Sequence, residues 1–537
     1  MKIVKGVLVY SLIALGIVIG IGILLMGIMF LIPSFKVFGY GFIYKTKGGT
    51  MQTYRFSENI ENYYEMENIV LEFNATEGIN VHVTADNENS RAAITSTLYY
   101  SYYGFYKDSS LITQSAQDVS YNSGTKTLTY KVNAYGLNGA INYSDKCYLD
   151  VVIPRRRIKS NGTADDAALS YTMNIHTVNG DIIIKGSGTD ENFIGAIQVN
   201  NMSISTQKGD LSLYGVGSNV TGNTKPTKLE MNEFNISTQY GTFNFAGISQ
   251  VTANGNVVFN SKRGDFLFDK LTVNGDFEIT GDNVLFKANN LTVEGDLNYQ
   301  TTNGAFKVAN KIKSNSGQLS IVSNTTEVVL GTVEKGALGI TTEYGNVTIS
   351  DSQVNTLIIG GHGNVNVAAC SGGLEARTSY GNINATYSKG ALLVSNRGII
   401  TANSTNSTDA DAKSIKTIVN LEGKAILNLT TKQLPFEINC GNNNCTVNIT
   451  VQAVITNLGT GYVTSTVNMG KGTLNFTAIN TYPFVVSATG GVSGRIGTYT
   501  IPGNGTRTGI AIEGDPAVNT YQEYELVAPK INFSTYM

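Results

Sequence analysis

Histidine, cysteine and carboxylate side chains are the groups from which this 537-residue chain could build chemistry, and the sequence offers few of them in useful company. His82 and His176 stand in strand-like alternation and His362 in a glycine-rich corner, with no serine, cysteine or metal-ligand spacing beside them to recruit an imidazole. Asp276 and Asp296 occupy equivalent places one repeat apart, near Asp265 and Asp282. A column of carboxylates is the arrangement that binds calcium or supplies an acid/base pair. Each of these aspartates, however, follows a turn glycine, where Asp is favoured for local hydrogen bonding, and later repeats carry Gln318 and Ala337 there. The expectation is a protein that is not an enzyme, with no catalytic residue, cofactor or metal.

Four cysteines are too few for a disulfide scaffold. Cys440 and Cys445, separated by Gly-Asn-Asn-Asn, are spaced to close a local loop in an oxidising compartment, whereas Cys147 sits inside a strand pattern as a buried thiol. The aromatic cluster Tyr99, Tyr100, Tyr102, Tyr103, Phe105 and Tyr106 has two readings. One is a platform on which a sugar or partner stacks; the other is a tyrosine-rich strand pair or loop that packs on itself or caps a neighbouring fold.

The elements that must position these residues are declared by a repeat. Gly255-Asn-Val-Val-Phe, Gly275-Asp-Phe-Glu-Ile, Gly295-Asp-Leu-Asn-Tyr, Gly317-Gln-Leu-Ser-Ile and Gly336-Ala-Leu-Gly-Ile begin successive units of about twenty residues, and Leu357, Leu374 and Leu392 continue the series. Within a unit, apolar residues two apart mark strands with one face inward, as at Val257 and Phe259, then Phe266 and Phe268, then Leu271 and Val273. Gly, Asn, Asp and Lys gather at the corners between them. Three strands and three corners per unit describe a rung of a parallel β-helix, in which equivalent side chains stack and neighbouring rungs stabilise one another. The fold expected is therefore all-β: a β-solenoid with rungs of about 20 residues, right-handed by the crossover rule, preceded by one N-terminal transmembrane helix.

Val7 to Ile32 carries no charge, is flanked by Lys2 and Lys5, and ends at Pro33. It is long enough to cross a bilayer, and no small-x-small cleavage site follows it, so it reads as a retained anchor rather than a secretory signal. The organisation expected is a short cytoplasmic tail (1–6), the helix (7–32), a juxtamembrane linker (33–56), a β region capping the solenoid (57–167), the repeats (168–451) and C-terminal strands (452–537). The partner expected at the front is the lipid bilayer, with the main body outside the cell on a single-pass anchor. With 58 glycines, 15% charged residues and a net charge of -2, the body has no basic field for nucleic acid. Arg155, Arg156, Arg157 and Lys159 form only a short solvated corner.

One stretch resembles a known family. Leu149-Asp-Val-Val-Ile153 with Pro154, a loop, and then Met173-Asn-Ile-His-Thr-Val-Asn-Gly-Asp-Ile-Ile-Ile184 look like the "valine-proline, then strand-Asn-Gly-Asp-strand" signature of the bacterial putative-adhesin family. The resemblance extends over roughly residues 60 to 400. It implies a cell-surface β-solenoid engaged in adhesion, with a surface glycan or protein as partner, and it transfers no catalytic residue. A structural envelope protein and a polysaccharide-acting β-helix enzyme are the alternative readings.

Overall fold

The computed structural model describes residues 2–32, 37, 40–76, 78–86, 92–107, 113–135, 140–142, 147–154, 156–161, 164–186, 198–213, 228–245, 248–405, 416–432, 434–452, 463–479, 484–496, 499–501, 507–511 and 522–536. The chain divides into two units, Met1–Val251 and Thr252–Met537.

In the second unit the repeat is realised as a parallel β-solenoid. Val257–Val273, Phe277–Val293 and Leu297–Ser314 each run as one continuous strand through the corners that the sequence marks as breaks. They pair parallel and in register, so that Val257, Phe277, Leu297, Leu319 and Leu338 form one inward column. Phe259, Ile279, Tyr299, Ile321, Ile340 and Ile358 form a second, and Phe266, Phe286, Phe306, Val328, Val347 and Val365 a third. All of these residues are essentially buried. Adjacent rings in the columns touch, as Phe286 and Phe306 do with centroids 5.1 Å apart, which adds to the gain from burying apolar area.

Of the leucine series, Leu374 stays in the inward column of Leu338, through Thr356, whereas Leu357 and Leu392 leave it. Leu338 pairs with Thr356, and Leu357 pairs with Gly339; likewise Leu374 pairs with Ala391, and Leu392 with Glu375. The pairing offset has shortened to eighteen residues and then to seventeen, and a one-residue slip sends a side chain to the opposite face. Leu357 is consequently 39% exposed while Ile358 is fully buried.

In the first unit, Lys2–Leu31 is a helix, whose Gly6–Met29 portion is apolar and long enough to cross a membrane. Its apolar side chains from Val7 to Ile19 are exposed all round. Tyr40–Arg55, inside the stretch expected as a linker, is a strand paired antiparallel with Ala93–Lys107. Asn68–Ala75 and Ser170–Thr177 then pair parallel, followed by Gln198–Lys208 and Glu233–Phe245. Thr127–Tyr135 lies on the other side of Asn68–Ala75, so this rung is out of chain order and its free edge is met by antiparallel Thr113–Asn122. The stretch between Pro154 and Met173, which the sequence marks as a loop, contributes Ala164–Ala168 to a two-stranded antiparallel pair with Arg156–Ile158.

Candidate functional site

Three corners of the second unit, Tyr344-Gly-Asn346, His362-Gly-Asn364 and Tyr380-Gly-Asn382, recur at intervals of eighteen residues. Glycine is needed here for space. A Cβ on Gly363 would lie 1.9 Å from the Gly345 carbonyl oxygen, and one on Gly381 1.8 Å from that of Gly363. The asparagine that follows clamps the next rung: Asn346 Oδ1 accepts the Asn364 N–H at 2.8 Å, Asn364 Oδ1 that of Asn382 at 3.0 Å, and Asn382 Oδ1 that of Ile399 at 2.8 Å.

With the backbone held this way, the side chains preceding each glycine must stack at the rung spacing. The His362 ring lies 4.8 Å from that of Tyr344 and 4.6 Å from that of Tyr380, with interplanar angles of 17° and 12°. The Arg397 guanidinium covers the Tyr380 ring at 5.4 Å, a favourable cation–π placement. Glu343 Oε1 stands 3.3 Å from His362 Nδ1. Tyr344 and Tyr380 remain 54% and 47% exposed. The arrangement is an ordered aromatic strip with its edges in solvent, flanked by one acid and one base.

On the outer face of the strands that lead into these corners, Gly339, Leu357, Glu375, Leu392 and Ile418 form one row across five rungs. They line a shallow groove of about 510 Å³ with Lys416 at its border. Nothing lies within 4 Å of a Cβ built on Gly339, so the groove floor is open there. Lys416 is paired with Glu437, and Glu375 with Arg377 at 2.6 Å, so the charges beside the groove are mutually neutralised.

The first unit carries a separate aromatic stack. Tyr99 and Tyr148 oppose each other on antiparallel strands, with centroids 4.7 Å apart, and His82 stacks on Tyr148 at 4.5 Å. Burial, followed by the nearby Lys185 charge, depresses the His82 pKa to about 4 against the opposing pull of Asp181. Burial likewise pushes the neighbouring Asp150 carboxyl up, opposed by a hydrogen bond from Thr84 Oγ1 at 3.3 Å and by Lys185.

Of the aromatic cluster at 99–106, Tyr99 is thus in a stack, while the side chains of Tyr100, Tyr102, Tyr103, Phe105 and Tyr106 lie outside the described residues. Cys440 and Cys445 are disulfide-bonded, and Cys147 and Cys370 are buried. The aspartate column is used by the backbone: Asp276 Oδ1 accepts the Asp296 N–H at 2.9 Å, and Asp296 Oδ1 that of Gln318 at 2.7 Å. Among the described residues, no three His, Cys, Asp or Glu side chains are grouped to hold a metal ion. His82 and His362, for which the sequence shows no catalytic or metal-binding neighbour, sit against tyrosines. The stack was encoded in the eighteen-residue recurrence of an aromatic ring before Gly-Asn, a signal hidden by treating each corner only as a turn.

The fold and these surfaces define a β-solenoid with ordered aromatic strips on its outside. Residues 106–324 match the family described as Toastrack DUF4097, and the Leu149–Ile184 signature that resembles the putative-adhesin family falls within that stretch. The crystal structure of a "putative cell adhesion protein" from Clostridium sporogenes is similar at 10% identity, covering 48% of this chain and 100% of that one with a TM-score of 0.23. That likeness is too distant to carry an argument. No curated protein matches the sequence.

Proposed function

We propose that this chain is a membrane-anchored, cell-surface binding protein without catalytic activity, held by the helix of residues 7–32 and presenting its solenoid outside the cell for adhesion to a surface glycan or protein. The observation that carries this reading is the strip Tyr344, His362, Tyr380 and Arg397. Tyr and Arg are the residue types that concentrate binding energy at interfaces, and rings already stacked on one another lose little conformational freedom when a partner arrives. The groove bordered by Leu357, Leu392 and Ile418 extends the apolar surface available for contact. The Toastrack DUF4097 match supports a surface setting, and the uniformly apolar helix supports an anchor.

The test is binding of the detergent-solubilised chain to a glycan array and to whole cells, beside the Tyr344→Ala/Tyr380→Ala double variant. The two tyrosines are half-exposed, so the variant is expected to fold and to lose at least tenfold in affinity. Equal binding by the variant, or no binding by the parent, would rule against this strip as the contact surface.

A further inference from the structure

At the C-terminal end of the second unit the strands are out of chain order. Val463–Ile479 pairs parallel with Phe436–Val451 on one side and with the terminal strand Gln522–Tyr536 on the other. The terminal strand in turn pairs parallel with Phe484–Ile496, whose far edge is met by antiparallel Tyr499–Ile501 and Arg507–Ala511. This strand therefore fills a slot whose two walls both precede it in the sequence. It fills that slot with a full set of core contacts: Tyr524, Leu526, Ala528, Ile531 and Phe533 are all buried, and Phe533 and Tyr524 both rest against Phe476.

Its register is specified as closely as that of any interior rung. Asn532 Nδ2 donates to Asn475 Oδ1 at 2.7 Å, extending an asparagine ladder through Asn448 to Asn428. The hydroxyls of Thr477 and Ser534 meet at 2.8 Å on the outside, and Thr464 donates to Glu523. Every one of these contacts is made by residues 522–536 themselves, and none depends on which chain supplies them.

We propose that Gln522–Tyr536 is an exchangeable donor strand, and that two copies of this chain pair by each placing this segment in the slot of the other. Reciprocal exchange leaves no slot open and closes the pair. Its contacts equal those of the single chain, so the balance between the two states is set by effective concentration. Copies confined to one bilayer by their helices would meet at a raised local concentration. This inference is independent of the binding strip proposed above.

The test mixes two full-length chains in detergent, one carrying Thr477→Cys and the other Ser534→Cys, positions directly opposed across the strand pair. Under mild oxidation a disulfide joining the two different chains is expected, with a yield that rises with concentration and falls when a peptide of residues 522–536 is added in excess. The same peptide carrying Leu526→Asp is expected not to compete. A single chain bearing both cysteines calibrates the geometry by closing internally. If it closes and the mixed chains form no cross-link at any concentration, exchange does not occur; if it does not close, the strand is not seated in the slot, and the proposal falls as well.

Discussion

Asp276 and Asp296 occupy the same corner on successive rungs, and Asp276 uses its Oδ1 to accept the backbone N–H of Asp296 at 2.9 Å. The equivalent acceptor is an asparagine, Asn256, one rung earlier, so the corner needs an oxygen acceptor and not a charge. Asp276→Asn is accordingly expected to alter stability by less than about 0.5 kcal/mol, and Asp276→Ala to cost about 1 kcal/mol through the lost hydrogen bond. Urea denaturation of both variants, with and without a chelator, provides the check. A melting shift on chelation alone would mean that the carboxylates hold a cation after all.

The aromatic strip depends on the glycine column beneath it. A Cβ on Gly381 would sit 1.8 Å from a backbone oxygen of the preceding rung, and backbone cannot swing aside as a side chain end can. Gly381→Ala is expected to destabilise by at least about 2 kcal/mol and to part Tyr380 from His362. Near-ultraviolet circular dichroism would report the parting as reduced tyrosine ellipticity. An unchanged spectrum and midpoint would show that the rings are not held by the corners.

Leu357 and Ile358 are chain neighbours on opposite faces, the first 39% exposed and the second fully buried. Ile358→Ala should cost about 2–5 kcal/mol as a core truncation, and Leu357→Ala about 0.5 kcal/mol or less. The inverse ranking in thermal or chemical unfolding would place the register one residue away from that described.

His82 supplies a pH dependence whose sign can be worked out. Its pKa in the folded chain is about 4, against about 6.5 when unfolded. Between those values the unfolded chain holds a proton that the folded chain does not, so stability is at its full value above about pH 6.5 and falls as the pH drops toward 4. Because the imidazole is partly open to solvent, the loss is expected to be about 1–2 kcal/mol. Asp150, whose carboxyl is pushed up by burial, works in the opposite direction. His82→Phe keeps a ring against Tyr148 and removes the proton, so the difference in unfolding free energy between pH 7 and pH 4.5 should shrink in that variant. An identical pH dependence in parent and variant would assign the effect elsewhere.

The amino-acid order alone determined that this chain coils into parallel rungs, because residues such as Phe259, Ile279 and Tyr299 return at a constant interval and a constant interval can only stack. It also determined the apolar helix, since Val7 to Ile32 runs without a charge or a proline before Pro33. What it left open were matters of one residue or of long-range order. Whether Leu357 or Ile358 faces the core turned on where a corner lost a residue, which local alternation cannot reveal when both candidates are aliphatic. That Tyr344, His362 and Tyr380 form a single strip required the corners to be superposed in space. That Gln522–Tyr536 lies between Val463–Ile479 and Phe484–Ile496 was beyond any reading along the chain, because pairing between parallel strands is settled by which free edge a segment meets, and chain order carries no record of that.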